Sequence, residues 1–144
     1  MILENQTCSL ELAKKLKELG VEQDSLYYWL EVIDNYNNIP KIVSSEYDSH
    51  EDREGIYSSN LEKWKEVYYS AYTVGELGSM MPKWLFGPEL LEWKSEKQEG
   101  GIWAINVYRT HRTCEPDNLF WANEEKQADA YAKMLIYIKE NKLI

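Results

Sequence analysis

Residue types from which reactive centres are usually assembled are scarce in this chain. Two cysteines, Cys8 and Cys114, and two histidines, His50 and His111, are spread over 144 residues. Neither a Cys-x-x-Cys nor a closely spaced histidine pair occurs, which argues against a zinc site. A Gly-x-Ser-x-Gly elbow, a phosphate-binding glycine loop and a Gly-x-Gly-x-x-Gly motif are also missing. The chain is therefore read as non-enzymatic, with no metal and no cofactor. Positive charge is short as well: 16 Lys and Arg stand against 25 Asp and Glu, a formal net charge of -9. Such a surface repels phosphates at long range, so coating of bulk nucleic acid and adhesion to an anionic membrane are disfavoured. No apolar run is long enough to cross a bilayer, and the opening MILENQTCSLEL lacks the basic-then-apolar pattern of a secretory leader. A cytoplasmic protein is expected, its two thiols free and packed as small hydrophobes.

Hydrophobic residues make up 44% of the sequence, enough for a real core in a single domain spanning residues 1–144. Six Trp and eleven Tyr against two Phe is an unusual balance. Tyr and Trp join a large apolar body to a polar tip, which suits cleft walls and interfaces. They are also good strand formers, and that plainer use accounts for many of them.

Three segments set the architecture. Ser9 to Gly20 reads as a helix: Ser9 is the N-cap, Leu12, Leu16 and Leu19 form the stripe, and Gly20 with Val21 makes a Schellman-type stop. Glu66 to Pro82 reads as a strand running into a short helix. There Thr73 and Glu76 have capping-box spacing, and Pro82 closes the element. The last helix is expected over Glu124 to Asn141, capped by Asn123, with an apolar surface wider than one stripe. Such a helix is either deeply covered or part of a subunit contact, so a homo-oligomer through it is an expectation.

Strands are expected at Leu26 to Ile33, Ile39 to Val43, about Glu66 to Ser70, and Ile102 to Arg109. Glu46 to Glu54 reads as a solvated acidic loop, and Lys94 to Gly101 as a polar loop or hairpin tip. The fold expected is α+β: an antiparallel sheet of about four to five strands, the N- and C-terminal helices packed on one face, and a short central helix.

TCSLELAKKLKELGV, YSAYTVGELGSMMP and ADAYAKMLIYIKENKL together resemble a family of small uncharacterised proteins encoded by bacteriophages and prophages. The resemblance covers both ends and the middle of the chain and does not extend to residues 35–65 or 83–100. It implies a context, an accessory gene product in the cytoplasm of an infected bacterial cell. It transfers no catalytic residue.

Arg109, Thr110, His111, Arg112 and Thr113 form the one concentrated basic, hydroxyl-bearing segment in an acidic chain, and they follow a strand carrying Trp103 and Tyr108. Guanidinium forks can hold phosphate, hydroxyls add bonds, and aromatic rings stack on bases. Tyr72, Thr73 and Trp84 are expected as further walls of the same pocket. The function expected is sequestration of a small nucleotide-type immune signal. The alternative is an acidic inhibitor or adaptor that binds a host protein, using the loop Glu46 to Glu54 and an exposed face of Tyr27, Trp29 and Glu31.

Overall fold

A computed structural model of the chain describes residues 2–34, 39–46, 53–56, 63–81, 85–86, 90–109 and 117–142. The order of elements is α1 (Leu10–Glu18), β1 (Tyr27–Ile33), β2 (Lys41–Ser44), β3 (Arg53–Ile56), β4 (Lys63–Ser70), α2 (Val74–Met80), β5 (Leu85–Phe86), β6 (Leu90–Lys97), β7 (Trp103–Arg109), β8 (Asp117–Glu124) and α3 (Gln127–Glu140). The fold is α+β, with antiparallel strands and with helices at the N-terminus, the middle and the C-terminus. The strands divide between two sheets. Sheet I has the order β2-β1-β4-β3 and sheet II the order β5-β6-β7-β8.

Helix α1 ends as its residues dictate. Gly20 adopts φ +79°, the Val21 N–H bonds to the Leu16 carbonyl at 3.0 Å, and the Gly20 N–H bonds to Lys17 at 3.0 Å. That pair of bonds is the Schellman motif, which answers carbonyls the last turn leaves open. At the other end Ser9 occupies the N-cap, but its hydroxyl makes no cap bond; its backbone N–H instead donates to Asp129 at 2.7 Å.

The alternation expected in β1 holds, with an unexpected distribution of cover. Trp29 packs into the main core beneath α1 and donates from its indole to the Cys8 carbonyl at 2.9 Å. Glu31 pairs with Lys14 of α1 at 2.6 Å. The face of Tyr27, Trp29 and Glu31 expected to be exposed is therefore the one the first helix covers. Tyr28, Leu30 and Tyr68 form a second, smaller cluster on the opposite face, each at most 3% exposed. In β3, Arg53 bonds Glu66 of β4 at 2.7 Å and the Tyr68 hydroxyl at 2.6 Å, so the end of the expected acidic loop is pinned as a strand. Residues 47–52 of that loop lie outside the described residues.

Sheet II contains the two main departures. Lys94 to Lys97, expected as a polar loop, completes β6. Trp93 meets Tyr131 of α3 edge-on at 5.9 Å, and the register runs on to pair Lys97 with Trp103, so packing of one aromatic anchors a strand whose second half is polar. Asn123 and Glu124, expected to start the last helix, end β8. Phe120 stacks on Tyr137 at 4.6 Å and Glu124 bonds Lys133, which hold this stretch extended against β7. The helix starts only at Gln127, after an N-cap at Lys126.

Helix α3 touches α1, α2, β7 and β8. Ala128, Ala130, Ala132, Met134, Leu135 and Ile138 are all buried, on more than one side of it. Gly78 of α2 faces the Tyr131 ring of α3; a Cβ placed there would sit 3.5 Å from it, in ordinary van der Waals contact.

Candidate functional site

Backbone pairing brings the start of the chain to the start of α2. Thr7 forms an isolated antiparallel bridge with Thr73, and the Cys8 N–H donates to the Tyr72 carbonyl at 2.9 Å. Lys126, at the N-cap of α3, reaches the same segment: its ammonium donates to the carbonyls of Glu4 at 3.0 Å and Thr7 at 3.2 Å and lies 3.5 Å from Asp129. These contacts leave a cleft of about 410 Å³ between the segment around Asn5 and Gln6, the α2 N-cap Thr73, the first residue of β7, Trp103, and the beginning of α3 at Lys126 and Gln127.

Trp103 is half-buried, so one part of its indole packs against the core while another faces the cleft. Lys97, its cross-strand partner, holds an ammonium 5.9 Å from the ring centroid, within cation–π range. Asn5, Gln6 and Gln127 supply amide donors and acceptors. Glu125 places a carboxylate on the rim. A flat aromatic surface, an ammonium beside it and neutral amides around it make a surface for a planar polar ligand.

Thr73 serves this cleft as a wall and not as a donor. Its N–H bonds the Glu76 carboxylate at 2.8 Å, its hydroxyl bonds the same oxygen at 2.9 Å, and the Glu76 N–H returns to the hydroxyl at 3.3 Å. The capping box is complete.

Of the residues picked from the sequence, Trp103 and Thr73 come together. Tyr72 does not join them. It is fully buried, donates its hydroxyl to the Glu22 carbonyl and accepts from Gln23 at 3.1 Å. Burial pushes its phenol up to about 12. Tyr108 and Arg109 stand at the far end of β7, five and six residues and roughly 17–20 Å from Trp103 at the usual rise of a strand. Tyr108 donates to Glu92, its partner across β6, and that bond raises its pKa. Thr110, His111, Arg112, Thr113 and Trp84 lie outside the described residues. Asn5, Gln6, Lys97, Lys126 and Gln127 were not anticipated. Each is an ordinary polar residue locally, and only the Thr7–Thr73 bridge and the β6–β7 register make them neighbours.

The thiol of Cys8, just behind the cleft, is buried, and burial pushes it up to about 12. Among the described residues, no cluster of three or more His, Cys, Asp or Glu could hold a metal ion, and no helix is long and apolar enough to cross a membrane. Comparisons with protein-family models, with curated proteins and with solved structures found no match.

Proposed function

We propose that this chain is a non-enzymatic phage accessory protein that sequesters a small nucleotide-type ligand, a signal of host defence, in the cleft between Thr73 and Trp103. The observation that carries this reading is the Trp103 indole, half-buried at a cleft also lined by Asn5, Gln6 and Gln127, with the Lys97 ammonium 5.9 Å from its ring centroid. A base stacks on the indole, the amides bond its edge, and the Lys97 ammonium attracts the phosphate. A volume of about 410 Å³ is in the range of small-ligand pockets. Two titratable groups in the core, each next in sequence to the bridged Thr7 and Thr73, are not activated. Cys8 and Tyr72 both keep their protons far above neutral pH, the reverse of an activated nucleophile or base.

Isothermal titration with linear and cyclic mono- and dinucleotides tests this. A micromolar or tighter complex is expected with at least one of them. Trp103→Ala should weaken it at least tenfold, and the nucleotide should be recovered chemically intact. No heat with any nucleotide at millimolar concentration overturns the reading, and a hydrolysed product overturns its non-enzymatic part.

A second reading, an acidic inhibitor or adaptor of a host protein, is supported at the end of sheet I. Ile33 and Ile56 are 51% and 60% exposed and flank Trp64 around a hollow of about 500 Å³ that Glu54, Lys63 and Lys65 also line, so the patch offers apolar contact while the acidic charge lies elsewhere on the chain. Capture of a defined basic host protein at low salt, lost with Ile56→Asp, is the result expected of it.

A further inference from the structure

We infer that β8 is a dimerisation edge, along which two copies of this chain pair antiparallel about Trp121. β8 is the outermost strand of sheet II and runs for eight residues, against four in each edge strand of sheet I and two in β5. Natural edges are blunted with lysine, proline or bulges; Asp117–Glu124, DNLFWANE, contains no lysine or proline, and its one irregularity, at Leu119, leaves Phe120–Glu124 as a regular stretch. Trp121 is 61% exposed, and beside it runs a groove of about 620 Å³ whose apolar walls include Leu12, Phe120 and Tyr137.

Charge selects the occupant. The groove has four ionic groups, and they cancel as the pairs Lys15–Glu140 and Lys133–Glu124. The formal -9 of the chain therefore resides elsewhere on its surface. A cationic partner is drawn to those unbalanced carboxylates, whereas a partner that is itself acidic meets least repulsion at a neutral apolar strip. Another copy of this chain is such a partner. The proposed register places the exposed Trp121 on the two-fold axis and sets Phe120 against the copy's Ala122, within the part of β8 that pairs regularly with β7.

Light scattering on size-exclusion eluate at tens to hundreds of micromolar tests this independently of any ligand. A mass of about 34 kDa, twice the 17.0 kDa of one chain, is expected, and the dimer should tighten as salt screens the net charge. Trp121→Glu should return the single-chain mass with an unchanged circular dichroism spectrum. The single-chain mass for the native protein throughout that range, or a dimer that survives Trp121→Glu, overturns the proposal. A second measurement does not depend on losing the dimer. Directly opposed residues in an antiparallel pair have Cα atoms about 4.5–5.5 Å apart, within disulfide reach. Trp121→Cys with Cys114→Ser should give a disulfide-linked dimer on mild oxidation, and Ala122→Cys in the same background should not. Equal cross-linking at both positions, or none at position 121, overturns the register.

Discussion

Glu76 bonds the backbone N–H of Leu26 at 2.9 Å with one carboxylate oxygen while its other oxygen completes the cap of α2. One side chain thus ties the first turn of α2 to the residue before β1, fifty positions earlier. The capping box was legible as Thr73-x-x-Glu76; the bond to Leu26 was not, because it depends on how sheet I meets α2.

Replacement of Glu76 should therefore cost more than a cap alone. Glu76→Ala is expected to destabilise the fold by about 2 kcal/mol, roughly one for the capping box and one for the Leu26 bond. Thr73→Ala removes only the cap and should cost about half as much. Urea denaturation of the two variants checks the ratio; equal losses would show that the Leu26 bond contributes nothing.

Alkaline pH should destabilise the protein through Cys8 and Tyr72. Both groups are neutral when protonated, and burial raises both to about 12, from 9.0 for the thiol and 10.0 for the phenol. The unfolded chain consequently loses these protons first as pH rises. Stability is whole below about pH 9 and is lost from there toward 12, with a slope of up to about 1.4 kcal/mol per pH unit for each group. Cys8→Ala should flatten the slope between pH 9 and 10, at a cost of about 1 kcal/mol at neutral pH for the space it leaves. Denaturant midpoints measured from pH 7 to 11 check both statements.

Gly55 and Trp64 should be energetically coupled. They pair across β3 and β4, and a Cβ on Gly55 would lie 2.2 Å from the indole. Gly55→Ala forces that ring off the strand and should cost about 1–3 kcal/mol. In a Trp64→Ala background the same change should be nearly neutral. A double-mutant cycle with an interaction energy near zero contradicts the contact.

Lys126 should govern how firmly the first residues are held. Lys126→Met keeps the aliphatic stem and removes the bonds to Glu4, Thr7 and Asp129. Amide exchange at Thr7 and Cys8 should speed up at least tenfold, while amides in β1 and β4 remain protected.

What the sequence disclosed follows a physical division. Helix ends could be read because caps are local: Gly20 requires left-handed backbone, and Thr73 and Glu76 are three residues apart. β1 and β7 could be read because each is a run of seven residues rich in aromatic and β-branched side chains, YYWLEVI and WAINVYR. β6 and β8 could not, since Lys94 to Lys97 is polar and Phe120 and Trp121 are flanked by Asn118, Ala122, Asn123 and Glu124, which have little strand preference; both strands depend on aromatic contacts with α3. The cleft was half legible. Trp103 and Thr73 were picked out as an aromatic and a cap, but nothing local showed that they share a hollow, or that Tyr72, next to Thr73, faces inward. The basic segment expected to complete their site starts at the opposite end of β7.

The hydrogen bond between Ser9 and Asp129 joins residues 120 positions apart, and Lys126 reaches back to Thr7 over 119. During synthesis on a ribosome this order matters. Sheet I, complete once Ser70 has emerged, can pair early through its antiparallel neighbours. Helix α1 then has β4 to rest on but no α3, so the surface it will share with Leu135 and Ile138 stays wet until α3 has left the exit tunnel. The first helix made is among the last to be secured, and a nascent chain stalled before Gln127 should expose it to proteases.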